Sequence, residues 1–214
     1  MKKRLLILLI ILVVIIAGFF YLWFIWIPLQ IEKDQGPTTQ PPTLFAKDDY
    51  KIEEKQDGKY IVVKKVGLTA KVPEGWKAEI EGSDYPESGY WLNISSFNAE
   101  LKYGILSKGC GISIMTGETE KNIQEIKENI KTIEINPDMS KEIKKDYDFE
   151  IFRINDLKGL KWTTTEKPIL GQVIGIEIPI NDKRLISINT RLLTDYKEQC
   201  LLIWEEFIKN ITIK

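Results

Sequence analysis

The chain of 214 residues contains no histidine at all. Imidazole is the side chain whose ordinary titration falls near neutrality and is the commonest metal ligand. Its absence excludes histidine triads, histidine-ligated zinc and imidazole proton shuttles. Cysteine is scarce too: Cys110 and Cys200 are the only two, and they do not form a C-x-x-C pair. No D-x-D-x-D-G loop, G-x-x-x-x-G-K-[ST] loop or G-x-G-x-x-G turn occurs, so neither a metal nor a nucleotide cofactor is expected. An excess of one charge is lacking as well, with 30 Lys and Arg against 31 Asp and Glu. Nucleic acid needs a basic footprint, and none is expected as a partner.

One long apolar run is present. Residues 5–27 read LLILLIILVVIIAGFFYLWFIWI without a charge. About 20 apolar residues cross the hydrocarbon layer as a helix, so this run is long enough to span it. Lys2, Lys3 and Arg4 precede it, and the basic excess at that end predicts a cytoplasmic N-terminus over residues 1–4. Tyr21, Trp23, Phe24 and Trp26 then form an aromatic belt at the outer interface. A cleaved secretory signal is the rival reading, but its apolar core is usually about 7–15 residues and ends at a small-residue cleavage site. A retained signal anchor is the expectation, with the membrane itself as the first partner.

Residues 28–44 are rich in Pro, Thr and Gln and lack apolar periodicity, which reads as a spacer with polyproline character. Residues 45–214 form the expected extracytoplasmic domain. Strand-like alternation dominates it, beginning on either side of Asp57-Gly58, a pair suited to a tight hairpin. Pro73, Gly75 and Trp76 mark a corner where one strand ends and another begins. In GCGISIMTG, Cys110, Ile112 and Ile114 share parity and face one side of a sheet. Ile123, Ile126, Ile130 and Ile133 recur at helical spacing between Lys and Glu. Antiparallel strands follow in FEIFRIN, LKWTTTE, GQVIGIEIPI and RLISINTRL. The last helix carries Cys200, Ile203, Trp204, Phe207 and Ile208 on one face, with Asp195 and Glu198 as a capping box at its start. Residues 211–214 are expected to add a short strand. The fold class is α+β, an antiparallel sheet flanked by helices.

Outside the cytoplasm disulfides persist, so a Cys110–Cys200 bridge stands beside the alternative that both are small buried hydrophobes. Tyr85, Tyr90 and Trp91 flank the polar loop EGSDYPESG and are the candidate binding residues, because loops on a rigid sheet are common places for recognition. Their bland alternative is core packing.

The phrase GLTAKVPEGW, the strand YWLNISSF, the mid-chain helix, GQVIGIEIPI, RLISINTRL and a final helix ending WEEFIKNITIK together resemble the PsbP-like domain over most of residues 45–214. That resemblance implies an antiparallel sheet with flanking helices and a role in binding or assembly, with no catalytic set to carry over. A fainter resemblance is to type I signal peptidases. TQPPTL would place Thr39 as nucleophile, and VKKVGL would place Lys64 or Lys65 as a base on a strand. Thr39 and Gln40 stand there where that family has serine and methionine. The expected function is a membrane-anchored extracytoplasmic binding or assembly module whose partner is another cell-envelope protein. A Ser/Thr–Lys hydrolase and a small-ligand binder using the open sheet face are the alternatives.

Overall fold

Branched and aromatic residues at every second position favour the pleated backbone, and they build most of the folded unit. A computed structural model describes residues 18, 20, 43–82, 89–102, 105–165 and 171–214. The chain divides into two units, Met1–Pro37 and Thr38–Lys214. Of the first, only Gly18 and Phe20 are described, both helical. Apart from those two residues, the proposed span lies outside the described residues, as do the spacer up to residue 42, with Thr39, and Tyr85. Among those described, no helix is long and apolar enough to cross a membrane.

The second unit runs β1 (Thr43–Leu44), β2 (Tyr50–Lys55), β3 (Gly58–Val63), β4 (Leu68–Lys71), β5 (Lys77–Gly82), β6 (Tyr90–Ser95), β7 (Glu100–Lys102), β8 (Ile105–Lys108) and β9 (Gly111–Glu118). Helix α1 (Glu120–Ile135) follows, then β10 (Tyr147–Ile154), β11 (Leu157–Thr164), β12 (Gln172–Pro179), β13 (Arg184–Leu192), α2 (Lys197–Lys209) and β14 (Thr212–Ile213). An eight-stranded antiparallel sheet has the order β10-β11-β12-β13-β9-β6-β5, with β1 beside the end of β9. A four-stranded sheet, β14-β4-β3-β2, and the hairpin β7-β8 complete the unit. The fold is α+β, a large antiparallel sheet with two helices. The pairing of Thr43 with Glu118 draws the last two residues assigned to the spacer into the sheet.

Two cores lie on opposite faces of the large sheet. On one face Leu92, Ile94, Ile112, Ile114, Ile176 and Ile188 meet Ile61, Val63 and Leu68 of the small sheet and Trp204 and Phe207 of α2. On the other, Ile123, Ile126, Ile130 and Ile133 of α1 cover Tyr147, Phe149, Leu160, Trp162, Val173 and Leu185. The four isoleucines occupy one helical face, as their spacing predicts. β12 is buried on both faces, which is why GQVIGIEIPI is apolar almost throughout instead of alternating. Tyr50 ties the layers together: its hydroxyl bonds Thr116 Oγ1 at 2.7 Å and donates to the Tyr90 carbonyl at 2.8 Å. Burial raises its phenolic pKa above the ordinary value.

The Pro73 corner passes the chain between the sheets. Trp76 N–H donates to the Pro73 carbonyl at 3.1 Å, and Gly75 sits at φ 74°, the geometry of a type II turn. Trp76, half-buried, packs against the first core as β5 begins.

Three local expectations need correction, and one element is added. The first hairpin turns on Gln56 and Asp57, since Lys55 pairs with Gly58, and only Gly58 takes a positive φ. Lys64 and Lys65 occupy a 3-10 turn, not a strand, because Gly67 at φ 65° breaks the extended run. Asp195 does not cap α2: a 3-10 turn spans Thr194–Tyr196 and the helix starts at Lys197 without a side-chain cap. The loop before β9 contains the hairpin β7-β8, too short to show an alternation of its own.

Cys110 and Cys200 are joined by a disulfide with 5.5 Å between their Cα atoms. It fastens α2 to the start of β9. Closing a loop of 90 residues in the unfolded chain is worth about 4–5 kcal/mol in the chain-entropy account. Replacing both cysteines by serine is therefore expected to lower unfolding free energy by about 3–5 kcal/mol in urea titration. An unchanged midpoint would show that the bridge contributes no stability.

Candidate functional site

Alternation sends every second side chain of a strand to the opposite face. On β6 this buries Leu92 and Ile94 in the first core and turns Trp91, Asn93 and Ser95 outward. The same alternation turns out Lys77, Glu79 and Glu81 on β5, Gly111 and Ser113 on β9, and Asn189 and Arg191 on β13. Leu185, two steps of that alternation before Asn189, packs under α1. Among the described residues, helix α1 thus covers one half of the outer face, and the half over β13-β9-β6-β5 stays open.

That open half holds a groove of about 500 Å³. Its floor is a row of directly opposed residues, Glu79, Asn93, Ser113 and Asn189, each on a neighbouring strand. A second row runs Lys77, Ser95 and Gly111. Glycine and serine keep the floor low. The rim is taller: Trp91 stands opposite Glu81, and Ala99, Leu101 and Leu106 of the β7-β8 segment form the other wall. The leucine wall leans over the sheet, and a Cβ added at Gly111 would meet the Leu106 methyls at 3.7 Å. Asn93 Nδ2 donates to Glu81 Oε1 at 2.8 Å, and Lys77 Nζ lies 5.5 Å from the Phe97 ring centroid. Lining charges are two cationic and two anionic, so the groove carries no net charge.

Of the residues singled out from the sequence, Trp91 lines this groove. Tyr90, its neighbour, points the other way and packs against the first core. Lys64 and Lys65 lie elsewhere: Lys64 Nζ donates to the Asp48 carbonyl at 2.7 Å, and Lys65 is ion-paired with Asp49 at 2.8 Å. Asn93 and Asn189 were not singled out, although their parity with Trp91 and Arg191 is legible within each strand. What the sequence does not disclose is that β6, β9 and β13 are neighbours. Among the described residues no cluster of three or more Cys, Asp or Glu is arranged to hold a metal.

A second polar feature lies under α1. Glu177 is 3% exposed, and its Oε2 has no hydrogen-bond partner among the described residues. Burial, reinforced by the nearby Glu125 carboxylate and opposed by Lys144, pushes its pKa up to about 8. Unfolded, the carboxyl ionises near 4.5. The stability that the neutral acid permits is complete below 4.5 and is lost as pH rises toward 8. Glu177→Gln removes this titration. Urea midpoints at pH 5 and pH 8 are expected to show a larger gain at pH 8, whereas equal shifts at both would exclude a buried neutral acid.

No family model matches the chain, and no curated protein does. Among solved structures it is similar to the solution structure of cyanobacterial PsbP (CyanoP) from Synechocystis sp. PCC 6803. The two share 11% identity, and the alignment covers 84% of this chain and 96% of that one with a TM-score of 0.40.

Proposed function

We propose that this chain is a membrane-tethered recognition module, displayed outside the cytoplasm, whose binding surface is the groove over β5, β6, β9 and β13. The observation that carries the reading is the groove itself, a hollow over four strands that no described helix covers. Its volume falls in the range of ligand sites, about 300–1,000 Å³, and its lining mixes one indole with converging amide, hydroxyl and charged groups. That combination favours binding a ligand or partner segment.

Placement outside the cytoplasm is supported by the Cys110–Cys200 disulfide, a bond that cytosolic thiol buffers normally keep reduced. The tether is the uncharged run at residues 5–27, with the basic residues Lys2, Lys3 and Arg4 on the cytoplasmic side. The partner is then another component of the cell envelope, met near the membrane surface.

A photo-crosslinking amino acid in place of Trp91, illuminated in intact cells, is expected to give a discrete adduct. The same group in place of Leu202, exposed on α2, is expected to give none. Externally added protease should reach the domain in cells stripped of their outer layers. Equal labelling from both positions would remove the groove as the recognition site, and full protection from protease would remove the topology.

A further inference from the structure

The chemistry of the groove narrows its occupant, and the narrowing rests on the groove being the recognition site. A peptide that adds to a sheet needs unpaired main-chain donors and acceptors along an edge. The row at Asn93, Ser113 and Asn189 offers none, because β6, β9 and β13 each pair on both sides; the edge of β5, unpaired among the described residues, lies at the border of the sheet, where an added strand would extend the sheet and not lie on that row. A lipid chain would need an apolar floor, whereas this one is Glu79, Asn93, Ser113 and Asn189. A phosphate or carboxylate ligand is an anion that mainly accepts hydrogen bonds, and it would meet the carboxylates of Glu79 and Glu81 as well as the cations.

What remains matches a different chemistry. Asn and Ser side chains both donate and accept, so a row of them suits ligand groups that do the same, namely hydroxyls and amides. Neighbouring strands are about 4.8 Å apart, so the four-residue row extends about 14 Å and suits a chain of rings better than one ring. Trp91 at the rim supplies a flat apolar surface with a polar edge, against which the C–H face of a saturated ring can lie. The balanced charge of the lining selects for a neutral molecule. We propose that the groove binds a neutral, polyhydroxylated oligosaccharide, seated on the Asn93–Ser113–Asn189 row with one ring against Trp91.

The test is isothermal titration of the full chain, held in lipid nanodiscs free of glycoside detergent. Chitotetraose and cellotetraose are the neutral saccharide probes, with inorganic phosphate and a neutral tetrapeptide as the other arms. At least one saccharide is expected to bind, and Trp91→Ala and Ser113→Leu are each expected to weaken it about tenfold or more. Leu202→Ala, far from the groove lining, should leave affinity unchanged, and thermal unfolding should show all three variants folded. Tighter binding of phosphate or peptide, no saccharide binding, or saccharide binding indifferent to both groove substitutions would each overturn the proposal. A discrete adduct from position 91 that proves to be a polypeptide would leave the groove as recognition site and overturn only the saccharide assignment.

Discussion

The structure depends on a mismatch between the width of one sheet and the width of one helix. Seven strands lie along the path from β10 to β5, a breadth of about 29 Å at the usual spacing. A helix with its side chains is only about 10–12 Å wide. On the inner face the small sheet and α2 pack over the middle of the sheet and leave Asp148 and Glu150 of β10 exposed at its border, and on the outer face α1 alone covers the β10-β11-β12 side. Evolution of such a surface leaves a choice between polar and apolar residues on the uncovered strands, and here Asn93, Ser113 and Asn189 make that surface soluble while Gly111 and Ser95 keep it hollow. The groove is a consequence of how the layers are apportioned.

The same apportioning explains where polar residues end up buried. Glu177 shares the outward parity of β12, and at that position the outer face is covered by α1. Its cross-strand neighbours Leu160 and Ser187 give it no charge partner, so it is held as an acid. Two residues away on the same face, Gly175 occupies the place where any side chain would collide with the Trp162 ring. The two positions show one face treated in opposite ways: emptied under an indole, filled with a carboxyl under a helix.

Much of this was legible from local pattern. The isoleucines of α1, the parity of Cys110 with Ile112 and Ile114, the long hairpins of the second half and the Pro73–Gly75 corner all follow from periods of 3.6 and 2 and from turn chemistry. What escaped was non-local or too short for a period. The transfer of the chain from the small sheet to the large one at Trp76 is not written in the turn. The β7-β8 hairpin is a few residues long, and α2 begins after a 3-10 turn, Thr194–Tyr196, that is too short to carry a period. Trp91 was legible as a candidate because it is aromatic and beside a polar loop. Its groove partners were not, because pairing β9 with β6 on one side and β13 on the other joins residues far apart in sequence.

Fluorine NMR of the full chain labelled with 5-fluorotryptophan addresses the central claim directly. The chain has six tryptophans; Trp76, Trp162 and Trp204 pack within or against the cores and Trp91 lines the groove. On addition of envelope material from the cells that make the protein, the Trp91 resonance is predicted to shift while those of Trp76, Trp162 and Trp204 stay in place. An unmoved Trp91 resonance with a shift at Trp76 or Trp204 would contradict the account, because recognition would then lie on the opposite side of the sheet.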